Sequence, residues 1–206
     1  NNHSNDFGYQ GARETRNYIK TAGMDIFGDK GEILYLEKNG IKIALIAYSY
    51  LAGHNSILDL PAAKSLIAKA KANSDVVVLS VDGGSEGKGA MRIVNKMEYM
   101  LGEPRGNMIQ FSRGAIDAGA DLILGHGPHI PRAMEIYKER LIAYSLGNFL
   151  TYTMSTSGNK KLTLILRVAL QQDGKFVSGK IIPLIQHSGG TLNGIPYLDP
   201  NRAVIK

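Results

Sequence analysis

Hydrophobic and polar positions follow two periodicities along the chain, one typical of helices and one typical of strands. Stretches with apolar or small residues at helical spacing end at glycine or begin near proline, and apolar runs bounded by turn residues separate them. The predicted helices span residues 8–22, 61–71 and 107–118. The predicted strands span residues 33–36, 41–48, 76–79, 120–124, 141–144, 162–170 and 176–183.

Turn residues indicate how these elements connect. Asn39-Gly40 and Asp173-Gly174 lie between β-rich runs and predict two hairpins. The stretch 83–106 is rich in glycine and is expected to form a long loop, with a short helix over Met91–Leu101. The tail 189–200 is expected to be irregular. We therefore predict one α/β domain over residues 1–206, with parallel strands in the middle and antiparallel hairpins at both ends.

Composition adds few constraints to this picture. The 206 residues are 44% hydrophobic and 20% charged, which is ordinary for a globular domain and excludes disorder. The net charge of +6 favours anionic partners, but Lys and Arg are dispersed and match no nucleic-acid-binding motif. The chain has no cysteine, so any metal must be bound by His, Asp, Glu or Asn. No apolar run is long enough to span a bilayer, and the chain as given is expected to be soluble.

Three histidines have the surroundings expected of functional side chains. His126 and His129 lie in a Gly- and Pro-containing loop directly after a predicted strand, and His3 lies in a polar stretch at the start of the chain. Two imidazoles three residues apart on such a loop can reach one metal ion. The spacing alone equally fits structural or surface histidines, and only contact between the two segments would decide. His54 and His187 have no such neighbours.

A second set of polar residues follows the apolar run at 76–79. Asp82 and Glu86 flank a glycine-lined turn, where carboxylates suit metal coordination or acid–base chemistry. The alternative is a solvated loop with Asp82 as a cap. The loop does not match the P-loop pattern, and no G-x-S-x-G motif indicates a serine hydrolase. Glu135 and Asn148 are further polar residues near the histidine motif.

In their order along the chain, four segments resemble the CapA family of bacterial capsule and poly-γ-glutamate synthesis proteins. They are residues 1–8, 76–86, 119–129 and 135–149. The resemblance covers most of the chain up to about Tyr152. It implies a metallophosphoesterase-like fold, a four-layer α/β/β/α sandwich of mixed β-sheets with a site on loops at the strand ends.

The resemblance also implies roles for individual residues. Asn2 would be a metal ligand, and His3 a general acid oriented by Asp6. The remaining metal ligands would be Asp82, His126 and His129, with Glu86, Glu135 and Asn148 in contact with the substrate or behind the ligands. The cofactor would be one or more divalent ions, Mn²⁺, Mg²⁺ or Zn²⁺.

The sequence departs from the family pattern at two points. Asp82 stands where the family usually has histidine, and an anionic oxygen ligand favours harder metals. The first strand of the family, with its aspartate metal motif, precedes the Asn-Asn-His segment and is missing here. We therefore expect an N-terminally incomplete domain, in which a binuclear metal site would itself be incomplete.

The resemblance leaves two functions open. The first is a metal-dependent hydrolase of capsule or poly-γ-glutamate synthesis that cleaves a phosphoester or an amide or peptide-like bond. The second is a noncatalytic component that binds a polyanion or assembles a capsule synthesis and export complex. The expected partners are an anionic polymer such as poly-γ-glutamate, or a phosphorylated small molecule, and membrane capsule-synthesis subunits. The full-length parent is expected to be membrane-associated on the outer side of the membrane. A domain with structural histidines only is the third interpretation.

Overall fold

A computed structural model describes residues 3, 5–151 and 156–205 of the chain. Its helices are α1 (Gly8–Thr21), α2 (Leu60–Lys71) and α3 (Met108–Asp117). Its strands are β1 (Leu34–Lys38), β2 (Ile41–Ser49), β3 (Val76–Asp82), β4 (Glu98–Met100), β5 (Glu103–Gly106), β6 (Leu122–His126), β7 (Met134–Tyr137), β8 (Arg140–Ala143), β9 (Leu162–Leu170), β10 (Phe176–Gln186) and β11 (Pro196–Leu198).

Six strands form one mixed sheet in the order β1-β2-β3-β6-β8-β7. The four inner strands are parallel, and the edge strands β1 and β7 each pair antiparallel with a neighbour. A separate antiparallel sheet has the order β11-β10-β9, and β4 and β5 form a hairpin. Parallel inner strands bring their carboxyl ends to one edge of the sheet, where sites in α/β proteins collect.

The hydrophobic core lies between one face of the large sheet and the helices α2 and α3. Along β3, Val77, Leu79 and Val81 are fully buried against this core, whereas Val78, Ser80 and Asp82 on the other face are half-buried. Tyr48 from β2 packs edge-on against Phe111 of α3, with ring centroids 5.3 Å apart. The apolar run predicted as a buried strand therefore packs under helices on one face, as the period of two residues requires.

Side chains at their first turns define where α2 and α3 begin. Asp59 accepts a hydrogen bond from the Ala62 amide at 3.1 Å, and Asn107 accepts one from the Gln110 amide at 3.0 Å. In contrast, α1 has no buried residue and no side-chain cap. Its Arg16 forms an ion pair with Asp29 at 3.0 Å.

The structure confirms the α/β class and the mixed sheet, and both hairpins form as predicted. The four-layer sandwich and the missing first strand remain predictions. The short helix over Met91–Leu101 is wrong, because this stretch enters the β4–β5 hairpin, where Leu101 and Gly102 take positive φ angles of 50° and 82°. The tail also contains a short strand, β11.

Candidate functional site

A cavity of about 640 Å³ lies at the carboxyl ends of β3 and β6, bounded on another side by β9. Asp82, the last residue of β3, is paired in register with His126, the last residue of β6. Two chemically active side chains thus sit on neighbouring strands because both strands end at the same edge. The cavity is lined by predicted site residues from four separate segments, which are His3, Asp82, Glu86, His126, His129 and Asn148.

Two glycines allow the end of β6 and the loop after it to lie close to neighbouring segments. A Cβ atom on Gly125 would collide with the carbonyl oxygen of Tyr144. Gly127 has a φ of 103°, and a Cβ there would lie 2.7 Å from the Gly83 carbonyl oxygen and 2.9 Å from the Asp82 carboxylate. A side chain is excluded at both positions by backbone atoms. Gly125 lets β6 lie close to Tyr144, and Gly127 lets the loop that carries His129 lie close to Asp82.

The His126 ring has a partly desolvated environment. Burial lowers its pKa below the ordinary value, and the negative charge of Asp82 opposes this effect without cancelling it. The residue nevertheless retains substantial exposure on the cavity side. A neutral imidazole with a free lone pair is the form that can accept a proton or bind a cation.

His129 is held between two polar side chains. Its Nδ1 donates to the Asn148 Oδ1 at 2.7 Å, and its Nε2 lies 3.7 Å from the Glu86 carboxylate. The backbone of His129 has a φ of 60°, which is unusual for a residue with a side chain. Asn148 therefore orients His129, and the predicted role of Asn148 behind a metal ligand or beside the substrate stays a prediction.

Arg105 is a cavity residue that the sequence analysis did not identify. Its guanidinium donates to Glu86 at 3.3 Å and to Glu103 at 3.1 Å, and it lies 3.9 Å from the centroid of the Tyr50 ring. The side chain is 8% exposed, so these contacts fix Glu86 at the cavity wall. No sequence motif identifies Arg105, because Glu86 and Tyr50 are distant from it in sequence and only Glu103 is nearby.

A buried ion pair holds the long glycine-rich loop over the cavity. Arg132 donates to both Glu98 carboxylate oxygens, at 3.0 and 2.7 Å, and to the carbonyl oxygens of Ser85 and Ala90. Burial alone would raise the pKa of Glu98, but hydrogen bonds from Arg132 and Ser85 outweigh it and hold that pKa below its usual value. The pair therefore stays ionised and anchors the loop that carries Glu86.

His3 and Asp6 form a dyad at the start of the described chain. The His3 Nδ1 lies 2.7 Å from the Asp6 carboxylate, and His3 lines the same cavity as His126 and His129. The contact with the carboxylate fixes the orientation of the His3 ring at the cavity wall. Asn2, predicted as a metal ligand, lies outside the described residues.

The structure does not bring Glu135 to the cavity. Glu135 lies on the edge strand β7, where it accepts hydrogen bonds from Arg113 at 2.6 Å and from the Tyr144 hydroxyl at 2.5 Å. Burial raises the pKa of Glu135, and the Arg113 and Tyr144 hydrogen bonds lower it to a net value below the usual one. Glu135 thus links α3 to the edge of the sheet, which is a structural position.

The cavity walls also carry polar atoms that lack protein partners. Among the described residues, Arg105 Nε, Asn148 Nδ2 and Thr163 Oγ1 are buried without a hydrogen bond, and all three residues line the cavity. Buried polar groups without partners are unfavourable unless water or a ligand satisfies them. This arrangement suits a polar ligand rather than an apolar one.

The donors for a metal ion occur in pairs. Within residues 3, 5–151 and 156–205, no three His, Asp or Glu side chains are grouped closely enough to hold a metal ion together. Asp82 is adjacent to His126, and Glu86 is adjacent to His129 but is also bonded to Arg105.

Comparison with known proteins decides the family. A family model described as "Bacterial capsule synthesis protein PGA_cap" matches residues 1–153. The chain belongs to this family. The matched residues include every candidate site residue and end before β9, which begins at Leu162. The resemblance to capsule and poly-γ-glutamate synthesis proteins is thereby confirmed.

Two curated relatives give the extent of this similarity. The chain is 29% identical to the Capsule biosynthesis protein CapA of Bacillus anthracis, over 98% of this chain and 50% of the relative. It is 32% identical to the PGA biosynthesis protein CapA of Bacillus subtilis strain 168, over 72% of this chain and 40% of the relative. The chain thus spans about half, or less, of the curated relatives that it matches.

A solved structure is more distantly similar. It is described as a candidate 5′-nucleotidase from Staphylococcus aureus, with a TM-score of 0.46 and 14% identity over 78% of this chain and 31% of that chain. A likeness at this level assigns neither fold nor function. In the described part of the PGA_cap chain, no helix is long and apolar enough to cross a membrane.

Proposed function

We propose that this PGA_cap chain contributes a hydrolase-type site to capsule or poly-γ-glutamate synthesis and cleaves a phosphoester or an amide or peptide-like bond. The observation that carries the proposal is the convergence of side chains from four separated segments on one polar cavity. A metallophosphoesterase-like fold is part of this proposal. It is supported by the mixed sheet and by the position of the cavity at the carboxyl ends of parallel strands.

In the proposed reaction, His3 is the general acid. Asp6 lies 2.7 Å from Nδ1 of His3 and stabilises the protonated ring, which is the proton donor to the leaving oxygen or nitrogen. In the metal-free site, neutral His126 beside Asp82 is the group placed to accept a proton from an attacking water molecule. When His126 binds a metal ion, its acceptor nitrogen is no longer available for this role. Arg105 and Glu86 form part of the cavity wall. The proton from the attacking water is transferred to His126, and the leaving group receives a proton from His3.

A divalent ion, Mn²⁺, Mg²⁺ or Zn²⁺, would supply Lewis acidity and lower the pKa of bound water. The described donors are only pairs, so such an ion requires donors beyond them. Elemental analysis of the purified chain tests whether Asp82, His126 and His129 contribute. We expect His126→Ala/His129→Ala to lose bound metal and the control His187→Ala to retain it; equal occupancy in all three proteins contradicts the assignment.

Substrate, partners and location are also proposals for this chain. An anionic polymer such as poly-γ-glutamate or a phosphorylated small molecule suits the net charge of +6 and the unpaired polar atoms of the cavity. Membrane capsule-synthesis subunits are the proposed protein partners. A position outside the cytoplasmic membrane follows from the proposed role in capsule assembly.

A noncatalytic role is the second candidate, in which the cavity binds polymer during assembly. The occurrence of metal donors in pairs rather than in larger groups favours it. A panel of a phosphomonoester, a phosphodiester and a γ-glutamyl anilide, each with added Mn²⁺, separates the two candidates. Turnover of one substrate class above the protein-free control supports the hydrolase. Absence of turnover across the panel, with the protein folded, contradicts it and favours the binding role.

A further inference from the structure

A second, larger cavity adjoins the candidate site. This cavity, here called the basic groove, has a volume of about 750 Å³ and runs between α1 and residues 26–30. Its walls carry four cationic side chains, those of Arg13, Arg16, Lys20 and Lys30. Three of these cations come from α1 and the fourth from residues 26–30, and the fold brings the two segments together.

The charges in the basic groove are not balanced within the protein. Its walls contain two carboxylates, Asp6 and Asp29, which lie 2.7 Å from His3 and 3.0 Å from Arg16. Arg16 also lies 3.8 Å from the carboxylate of Glu32, outside the walls. Over the part of the chain that the structure describes, Arg13 and Lys20 have no carboxylate within ion-pair distance. Lys30 contacts one backbone carbonyl, at 3.5 Å. The groove therefore presents an excess of positive charge to a ligand.

Three of the cations lie along one side of α1, and the groove that they line meets the candidate cavity at His3. Arg13, Arg16 and Lys20 lie at spacings of three and four residues, so they follow one side of α1 over about 10 Å. His3 lines both the basic groove and the candidate cavity. A Cβ atom placed on Gly28 of the groove would lie 3.6 Å from the Cβ of Ala47 in the cavity wall. The two cavities are thus neighbours at His3.

We propose that the basic groove binds an extended chain with repeated anionic groups and guides one end of it past His3 into the candidate cavity. Regularly spaced cations along a helix suit a ligand with repeated charges better than a compact one, because each cation meets a separate anionic group. This binding rests on the proposed function only for what happens to the end of the ligand that reaches the candidate cavity. Binding itself requires no turnover.

Fluorescence anisotropy with labelled hexaglutamate tests this binding, and hexaglutamine of the same length is the uncharged probe. We expect hexaglutamate to bind, hexaglutamine not to bind, and affinity to fall as salt rises. Arg13→Glu/Lys20→Glu should weaken binding by at least roughly tenfold. The matched control is Lys42→Glu/Lys180→Glu, which makes the same charge change at exposed positions outside the groove. It should bind within about twofold of wild type.

Further measurements separate the outcomes. Both altered sites are exposed, and circular dichroism and thermal unfolding verify that each variant folds. Competition with inorganic polyphosphate distinguishes polycarboxylate from polyphosphate as the preferred anion, and either preference supports the proposal. Equal weakening by the groove and control variants overturns it, as does tighter binding of single-stranded DNA than of either polymer. Failure of the hydrolase panel leaves this binding assay unchanged, so the two proposals fail separately.

Discussion

Replacing Arg132 by methionine removes the cation that anchors the glycine-rich loop over the cavity. The Arg132 side chain is fully buried and that of Glu98 is 5% exposed, so neither charge can be solvated after its partner is lost. Removing one member of a buried ion pair costs about 3–5 kcal/mol. We expect Arg132→Met to lower the free energy of unfolding by this amount, measured by urea denaturation followed by circular dichroism.

A second variant keeps this prediction testable if Arg132→Met does not fold. Arg132→Met/Glu98→Met replaces both charges by apolar side chains of similar length, and it should recover most of the lost stability because no buried charge remains unpaired. A loss below about 1 kcal/mol in Arg132→Met would place the pair in the range of exposed ion pairs. That result, or a double variant no more stable than the single one, would refute the reasoning.

The same pair predicts a pH dependence. The pKa of Glu98 is lower in the folded chain than its usual value of 4.5, so the folded state favours the ionised carboxylate. The contribution of the pair is therefore fully present above pH 4.5 and is lost as pH falls through the folded pKa. Glu98→Gln should show a smaller decrease in urea midpoint than wild type over this acid range. An identical decrease in both proteins would contradict the assignment.

Three further changes have expected effects on the urea unfolding free energy. Asp121→Asn should lower the unfolding free energy by about 2 kcal/mol, because the buried carboxylate forms ion pairs with Lys71 of α2 and Arg140 of β8. The loss should be the same at high and low salt, as expected for a buried pair. A loss that disappears at high salt would contradict this reasoning. Gly125→Ala should cost about 1–3 kcal/mol through the clash with the Tyr144 carbonyl, and a neutral effect would show that the loop shifts freely. Asn107→Ala should cost about 1 kcal/mol by removing the cap to Gln110, whereas Asn107→Ser should restore most of it.

The elements that the sequence predicted are those with local signals. Apolar runs and turn residues located β2, β3, α2 and α3 to within a few residues, and the ends of β3 and β6 placed Asp82 and His126 at one edge of the sheet. The β7–β8 hairpin was not predicted, because its turn residues Lys138 and Glu139 take φ angles of 46° and 62° without the usual Gly or Asn.

The parts of the site that sequence could not predict depend on distant contacts. Glu98 was assigned to a short helix, but its ion pair with Arg132, 34 residues away, holds this segment as a strand. Arg105 carries no motif, and its place beside Glu86 is decided by the β4–β5 hairpin. Glu135 lies in a segment that resembles the family, yet the edge strand directs it to Arg113 instead of the cavity.

The most direct test of the candidate site is the effect of His3→Ala on hydrolysis, with His187→Ala as the matched control outside the cavity. Loss of a general acid should reduce the rate by roughly 10²-fold or more for a substrate with a poor leaving group. The reduction should be much smaller for a nitrophenyl ester, whose leaving group needs no proton, and His187→Ala should match wild type on both substrates. Equal rates for His3→Ala and His187→Ala on the poor leaving group would contradict the account.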